Sequence, residues 1–198
     1  MTGLVVGAVV LCILLGKWVL PDFLVGQLDL FTNLALGLML VGVGIDLGSQ
    51  RSTWCRLRAL GWRVLLVPLA VALGSLVGAV GGGLILGLPL NESSAIGAGF
   101  GWYSLSGVLI AQIYSVQTGA LAFLTNVIRE LLAFMLIPVL AVKVSKLMAV
   151  APGGATAMNT TLPVISRVTD ADTTVIALVN GTSLSLLVPL LVPVLIGF

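Results

Sequence analysis

Histidine is absent from this chain of 198 residues, and charged side chains make up only 8% of it. Without histidine, the chain lacks the commonest general base and metal ligand of proteins. A soluble domain carries about 25% charged residues, so most of this surface cannot face water. The net charge of +2 is too small to indicate nucleic-acid binding. The two cysteines, Cys12 and Cys55, have no spacing typical of a disulfide framework or a metal site.

Hydrophobic residues make up 59% of the chain and form runs long enough to cross a bilayer. A crossing takes about 20 mostly apolar residues. We predict an all-α integral membrane protein whose spanning stretches are roughly 3–20, 28–48, 62–88, 118–142 and 173–197. Two further segments are apolar but rich in Gly, Ser, Thr and Asn, and we expect them to be re-entrant or broken; they are 93–112 and 150–165.

The basic residues predict the orientation, because short cytoplasmic loops collect Lys and Arg. The arginines after the second span place that loop and the N-terminus inside; they are Arg51, Arg56, Arg58 and Arg63. Lys143 and Lys146 are cytoplasmic as well only if 93–112 enters from outside and returns. The same reasoning for 150–165 places the C-terminus outside.

Two broken segments that enter from opposite faces form an inverted-topology pattern and should meet near the midplane. No residue-level repeat is visible between them, so this symmetry depends on hydropathy and charge alone. We predict one membrane transporter domain over 1–198. Its first part, 1–60, holds two spans and the basic loop, and 61–198 forms the core with the broken segments.

Glu130 lies near the middle of the predicted span 118–142. An acid at the centre of a spanning helix costs about 2.5–3.5 kcal/mol on insertion scales, so it is rarely incidental. Asn126 lies one turn earlier on the same face. The alternative is a structural pair of Arg129 with Glu130, but neighbours point about 100° apart on a helix, so each needs another partner. We therefore expect Glu130 to bind the substrate or a coupling ion.

The remaining candidate binding residues are polar groups at span ends or breaks. Asp46 closes the second span, where a surface or capping role competes with a place on the transport path. Hydroxyls, amides and free carbonyls in broken segments are typical ligands of ions and amino acids in transporters, whereas close packing of small residues is the alternative. These candidates are Tyr103, Ser104, Ser106, Asn159, Thr160, Thr161 and Asn180, with Ser106 and Thr160 as candidate Na⁺ ligands.

Three motifs in one order, GFGWYSLSG, IRELLAFMLIPVL and GGATAMNTTLPVISR, resemble the lysine exporter LysO family of prokaryotic inner-membrane transporters. The similarity extends from about Leu34 to Phe198. The resemblance implies export of L-lysine, and of toxic analogues such as thialysine, from the cytoplasm. It also implies dependence on intramembrane acids, and Glu130 matches one such position. Longer members carry an extra N-terminal membrane portion, so the resemblance implies a homodimer or a small membrane partner subunit here.

Together these observations predict a secondary transporter, not an enzyme, that exports lysine in exchange for H⁺ or Na⁺ and needs no cofactor. No nucleotide-binding motif is present in the sequence. The alternatives are a cation channel or a non-transporting subunit of a two-component exporter. A membrane hydrolase using Ser104 or Ser106 would lack the usual histidine base.

Overall fold

The computed structural model describes residues 62–197, together with helical positions 34, 38, 41 and 45 inside the predicted second span. The chain divides into two compact units, Met1–Ser49 and Gln50–Phe198. Apart from those four positions, the predictions for the first two spans, for Asp46 and for the basic loop as far as residue 61 lie outside the described residues.

The described part of the second unit begins with a 3₁₀ turn, Trp62–Leu65, and contains helices and turns but no strand. A long 3₁₀ segment, Met148–Met158, stands between its fourth and fifth α-helices. In chain order the α-helices are α1 Leu66–Ile85, α2 Leu90–Gly97, α3 Tyr103–Ile113, α4 Val116–Lys143, α5 Leu162–Val168 and α6 Ala171–Ile196.

Three of these helices, α1, α4 and α6, are long and apolar enough to cross a membrane. They agree with the predicted spans 62–88, 118–142 and 173–197 to within a few residues. Large apolar side chains remain exposed along them, among them Leu73, Ile128 and Leu190. Such exposure is typical of helices surrounded by lipid rather than water. The chain is therefore a multi-pass membrane protein, as its composition predicts.

Helices α2 and α3 form a first hairpin, residues 90–113, whose two ends lie together. The Glu92 carboxylate near the start of α2 accepts hydrogen bonds from Tyr114 Oη (3.1 Å) and Thr118 Oγ1 (3.2 Å). Tyr114 directly follows α3, and Thr118 is in the first turn of α4. The chain therefore enters and leaves the first hairpin at the N-terminal end of α4.

A second hairpin, residues 148–168, consists of the 3₁₀ segment and α5, and its ends also lie together. Lys146 Nζ lies 3.1 Å from Asp170 Oδ2, which joins the residues just before and just after this hairpin. Both follow the C-terminal end of α4, and α4 is 28 residues, or about 42 Å, long. The two hairpins thus start from opposite ends of α4.

The direction of α6 agrees with this inverted arrangement. Asn91 Nδ2, at the base of the first hairpin, donates to the Ile196 carbonyl at the end of α6 (3.4 Å). Helices α4 and α6 begin alike: Ser115 Oγ accepts from the Thr118 N–H (3.1 Å), and Asp170 Oδ1 accepts from the Thr173 N–H (2.9 Å). Such caps satisfy amide groups that a helix start leaves free.

A buried apolar cluster packs the second hairpin against α4 and α6. Most of its side chains are small, which allows the backbones to approach closely. The cluster comprises Ala133, Ile137, Ala149, Val150, Ala157, Ile165 and Ala177.

Candidate functional site

The first hairpin contains a backbone break between α2 and α3. Phe100 and Gly101 both have positive φ, 47° and 97°. A positive φ is uncommon for a residue with a side chain, so Phe100 needs external support. The break falls in the predicted segment 93–112, in the stretch GFGWYSLSG.

Asn126 of α4 provides this support. Its Oδ1 accepts from the Gly101 N–H (2.8 Å), and its Nδ2 donates to the carbonyls of Ile96 (3.3 Å) and Ala122 (2.9 Å). Gly99 leaves room for the amide, since a Cβ there would lie 2.6 Å from Nδ2. Both polar atoms of this side chain are engaged within the protein.

The second hairpin contains a comparable break at Gly154, which adopts φ 55° and ψ −127°. Asn180 of α6 donates from Nδ2 to the Gly154 carbonyl (3.0 Å). Asn180 is fully buried. Its Oδ1 has no hydrogen-bond partner among the residues that the structure describes.

The two breaks touch one another. The Ala155 N–H donates to the Phe100 carbonyl (2.8 Å), which joins the second hairpin to the first. A Cβ on Gly154 would lie 2.3 Å from the Phe100 oxygen, so only glycine fits at this point. The prediction that the two polar segments meet is thus confirmed by a direct backbone contact.

The groups at the two breaks occupy equivalent positions. Phe100 and Gly154, which both have a positive φ, lie 54 residues apart (154 minus 100). Asn126 and Asn180, whose amides hold the breaks, are separated by the same interval (180 minus 126). We use the name repeat for each of the two parts that this interval relates, one with the first hairpin and one with the second, which share α4 and whose residue types mostly differ.

Glu130 lies at the centre of α4 and is partly exposed. Its Oε1 accepts a hydrogen bond from Thr160 Oγ1 in the turn that follows the 3₁₀ segment. The Thr160 N–H in turn donates to Asn159 Oδ1 (2.6 Å). Asn159 and Thr160 are both exposed. Three of the predicted binding residues are thus neighbours on one accessible surface.

Arg129 does not pair with Glu130. Its Nη1 donates to Ser75 Oγ of α1 (2.8 Å), and Ser75 Oγ donates to the Gly97 carbonyl at the end of α2 (2.9 Å). A cation close to a helix C-terminus is favourable, because the helix dipole is negative there. Within residues 62–197 the structure has one ion pair, Lys146 with Asp170. The prediction that Arg129 and Glu130 each need another partner is confirmed.

The other predicted residues differ in their surroundings. The Tyr103 ring packs edge-on against Phe123, with ring centroids 5.4 Å apart, and Ser104 beside it is half-buried. Ser106 is buried, donates to the Trp102 carbonyl (2.8 Å) and lies 3.4 Å from Asn126 Nδ2.

Thr161 belongs to the second hairpin and is buried. Its Oγ1 lies 3.4 Å from Thr156 Oγ1. Ser106 and Thr160 have different partners, although they occupy equivalent positions of the two hairpins (160 minus 106 is 54). Their joint Na⁺ site therefore remains a prediction. Residues 62–197 contain no cluster of three or more acidic, cysteine or histidine side chains that could hold a metal ion.

Among the carboxylates of residues 62–197, Asp170, outside the long helices, is the one with a marked electrostatic perturbation. Hydrogen bonds from the Thr173 side chain and N–H, and then from Lys146, lower the pKa of Asp170 from 3.8 to about 2. The carboxylate is exposed, so salt screens the Lys146 contribution. Asp170 thus serves to cap α6 and to close the base of the second hairpin.

The sequence-based reasoning missed Ser75 and Phe100. Nothing local marks Ser75, which lies in the apolar run SLVGAVGGG. Phe100 is a large apolar residue in a glycine-rich stretch, and only the tertiary contact explains its backbone conformation. The glycine pair GG at 153–154 was the available signal for the second break, and it lay inside the predicted segment 150–165.

Comparison with known proteins gives a consistent result. The family model described as "Lysine exporter LysO" matches residues 6–196. The chain is 41% identical over 155 residues to the lysine exporter LysO of Escherichia coli (strain K12), which covers 78% of this chain and 51% of that protein. It is 36% identical over 127 residues to a putative lysine exporter of Haemophilus influenzae (strain ATCC 51907 / DSM 11121 / KW20 / Rd), covering 64% of this chain and 65% of that one.

The chain therefore spans about half to two thirds of the length of these curated relatives. No solved structure matches it. The family match covers nearly the whole chain and includes both hairpins and the helix that carries Glu130. The chain belongs to the lysine exporter LysO family.

Proposed function

We propose that this chain forms the transport core of a secondary transporter that exports L-lysine, and analogues such as thialysine, from the cytoplasm in exchange for H⁺ or Na⁺. The names of its relatives support lysine as the substrate. The inverted hairpins support a transporter, because broken segments meeting between long helices are a recurrent transporter architecture.

The observation that carries the proposal is the position of the Glu130 carboxylate. It lies about halfway along α4, roughly 20 Å from either end. A carboxylate at this depth is favourable when a cation neutralises it, since charges attract strongly where the dielectric constant is low. Lysine carries a net positive charge, so an ammonium group of the substrate is a matching partner.

The same carboxylate provides a coupling mechanism. After lysine leaves, Glu130 takes up a proton or a Na⁺ ion, which restores neutrality for the return step. The Thr160 hydroxyl donates to the carboxylate and orients it. Because Thr160 belongs to the second hairpin, movement of this hairpin changes the surroundings of Glu130.

In the membrane, the two hairpins act as re-entrant elements. Exposed backbone at membrane depth is tolerated where protein covers it or where it lines a wet cavity. The bases of the hairpins differ in basic residues: Glu92 lies at the first base, whereas Lys143 and Lys146 lie near the second, where Asp170 pairs with Lys146. By the positive-inside rule we assign the second base to the cytoplasm. With the two predicted N-terminal spans, we propose an N-terminus inside and a C-terminus outside the inner membrane.

A partner completes the transporter in this proposal. The chain corresponds to about half of the Escherichia coli relative. The proposed partner is a second copy of the chain or a small membrane subunit. A specific alternative follows from the same fact, namely that this chain is a non-transporting subunit. A cation channel is the other alternative, because a conducting path would also use backbone carbonyls.

The proposal is tested by lysine efflux from proteoliposomes, with Glu130→Gln as the variant. This change removes the charge and keeps the shape, so we expect loss of lysine exchange. Glu92→Gln is the matched control, since Glu92 lies at a hairpin base and a glutamine there still accepts from Tyr114. Efflux by Glu130→Gln at the parent rate, or efflux independent of any H⁺ or Na⁺ gradient, would contradict the exchanger and favour the channel.

A further inference from the structure

The two equivalent breaks differ in the acceptor to which one backbone N–H donates. In the first repeat, the Gly101 N–H donates to Asn126 Oδ1 on the following long helix. The equivalent donor in the second repeat is the Ala155 N–H, 54 residues later (155 minus 101). It donates instead across the crossing point to the Phe100 carbonyl. Asn180 Oδ1, the equivalent of Asn126 Oδ1, is therefore left without a partner among the described residues.

An amide oxygen that is fully buried and unpaired is rare, because burial removes its bonds to water. Asn180 is 0% exposed. Its Nδ2 holds the Gly154 carbonyl, so the amide is anchored with Oδ1 on the other side. The Ala155 N–H adjoins this peptide group and is the donor that the repeat symmetry assigns to it.

The two hairpins also differ in exposure at equivalent positions. Leu105 and Ser106 of the first hairpin are 0% exposed. Asn159 and Thr160, each 54 residues later, are exposed. At these two pairs of positions the first hairpin is packed in and the second is open, which is the same direction of asymmetry as the hydrogen bonds show.

We infer that Asn180 is a positioning residue for alternating access, which receives the Ala155 N–H on its Oδ1 when the transporter faces the other side. In that state the two repeats exchange their conformations. The Gly101 N–H leaves Asn126 Oδ1 and donates to the Gly154 carbonyl, while the second hairpin packs in and the first one opens. This inference depends on the proposed function, since only a transporter needs two such states.

The exchange conserves the hydrogen bonds at the crossing point. In the described state Asn126 binds four groups, namely Gly101, Ile96, Ala122 and Ser106, whereas Asn180 binds one. In the exchanged state these numbers are reversed. Two states with the same set of bonds are close in free energy, and a transporter requires this so that substrate and coupling ion can shift the balance.

The test uses cysteine reporters at one pair of equivalent positions, Leu105→Cys and Asn159→Cys. Each is introduced singly into a chain with Cys12→Ser and Cys55→Ser, and its alkylation rate by N-ethylmaleimide is measured in nanodiscs. In the described state the reporter at 159 is exposed and the one at 105 is buried. The ratio of the two rates therefore reports the balance between the two states.

Two isosteric variants should move this ratio in opposite directions. Asn180→Leu removes more bonds from the exchanged state, so the 159-to-105 ratio should rise. Asn126→Leu removes more bonds from the described state, so the ratio should fall. We expect shifts of at least roughly two- to tenfold, which is the value of one net hydrogen bond out of the three by which the two states differ at each asparagine. Shifts in the same direction, or no shift with Asn180→Leu, would overturn the inference.

A second substitution keeps the test decisive if Asn180→Leu does not fold. Asn180→Asp retains an oxygen that accepts from Ala155, but when ionised it loses the donor to Gly154. Nδ2 of Asn126 makes three bonds, whereas Nδ2 of Asn180 makes one, and exchange reverses these numbers. Loss of the donor at 180 should therefore still raise the ratio, by less than leucine does because the Ala155 bond is kept, and a decrease would contradict the inference. The alkylation assay contains no lysine. Reporters that shift as expected in a chain that exports no lysine would refute the proposed substrate and leave the conformational inference intact.

Discussion

Gly154→Ala is the substitution that tests the crossing of the two hairpins most severely. Gly154 adopts φ 55° and ψ −127°, a region that is essentially restricted to glycine. An added Cβ would lie 2.3 Å from the Phe100 oxygen and 3.2 Å from its carbonyl carbon. Because both of these atoms belong to the backbone, the side chain of Phe100 cannot relieve the contact. The two hairpins must separate.

The cost has two parts. Backbone strain at such a position contributes roughly 1–3 kcal/mol. Separation of the hairpins breaks the bond from the Ala155 N–H to the Phe100 carbonyl and leaves both groups buried, which costs about 1–3 kcal/mol more. We therefore expect Gly154→Ala to lower the free energy of unfolding by about 2–6 kcal/mol.

Gly87→Ala separates backbone strain from steric contact. Gly87 also has a positive φ, 74°, but no described atom lies within 4 Å of its added Cβ. It should therefore show the strain alone, about 1–2 kcal/mol. Both variants are measured by SDS unfolding in mixed micelles, followed by tryptophan fluorescence. A loss for Gly154→Ala no greater than that for Gly87→Ala would refute the close crossing of the two backbones.

Two further predictions concern Asp170 at the base of the second hairpin and Ser75, whose hydroxyl joins Arg129 of α4 to the end of α2. The pKa of Asp170 is lowered to about 2, so its contribution to stability is complete above about pH 4 and is lost as the pH falls toward 2. Asp170→Asn keeps the helix cap but should remove this step from unfolding curves measured between pH 7 and 2, and a step that persists would assign it to another group. Ser75→Ala leaves the Gly97 carbonyl and Arg129 without their shared hydroxyl and should cost about 1–3 kcal/mol in the same unfolding assay. Ser94→Ala is the control, because the Ser94 hydroxyl donates to the Asn91 carbonyl within its own helix, and it should cost less. Equal losses would show that the hydrogen bonds of the Ser75 hydroxyl do not stabilise the core.

Much of this architecture could be predicted from composition. Long apolar runs indicated α1, α4 and α6. In lipid, a spanning segment satisfies its backbone hydrogen bonds only as an α-helix or as a strand of a closed β-barrel. Glycines and hydroxyl residues indicated both breaks, since they weaken a spanning helix. Glu130 was identifiable as a candidate binding residue, because an acid at the centre of a spanning helix costs free energy. These are local signals, and each depends on residue type alone.

Hydropathy and charge predicted the inverted pattern, but the residue-level equivalence of the two repeats could not be predicted, because equivalent positions share backbone conformation and not residue type. Phe100 and Gly154 are equivalent yet chemically unlike, and Ser75 is equivalent to Arg129 (129 minus 75 is 54). What the two members of a pair share is a tertiary contact, which no single-sequence pattern contains. Asn126 shows the same limit: its position next to Glu130 indicated ligand binding, whereas the structure uses its amide to hold the break.

The central claim is that the two hairpins enter the membrane from opposite faces and meet at the crossing. It is tested by thiol labelling of Asn91→Cys and Ser145→Cys, one at each hairpin base, with Cys12 and Cys55 replaced by serine. A membrane-impermeant maleimide is applied to intact cells and to inside-out vesicles. We expect the cysteine at 91 to be labelled from outside and the cysteine at 145 from the cytoplasmic side. Labelling of both from the same face would contradict it.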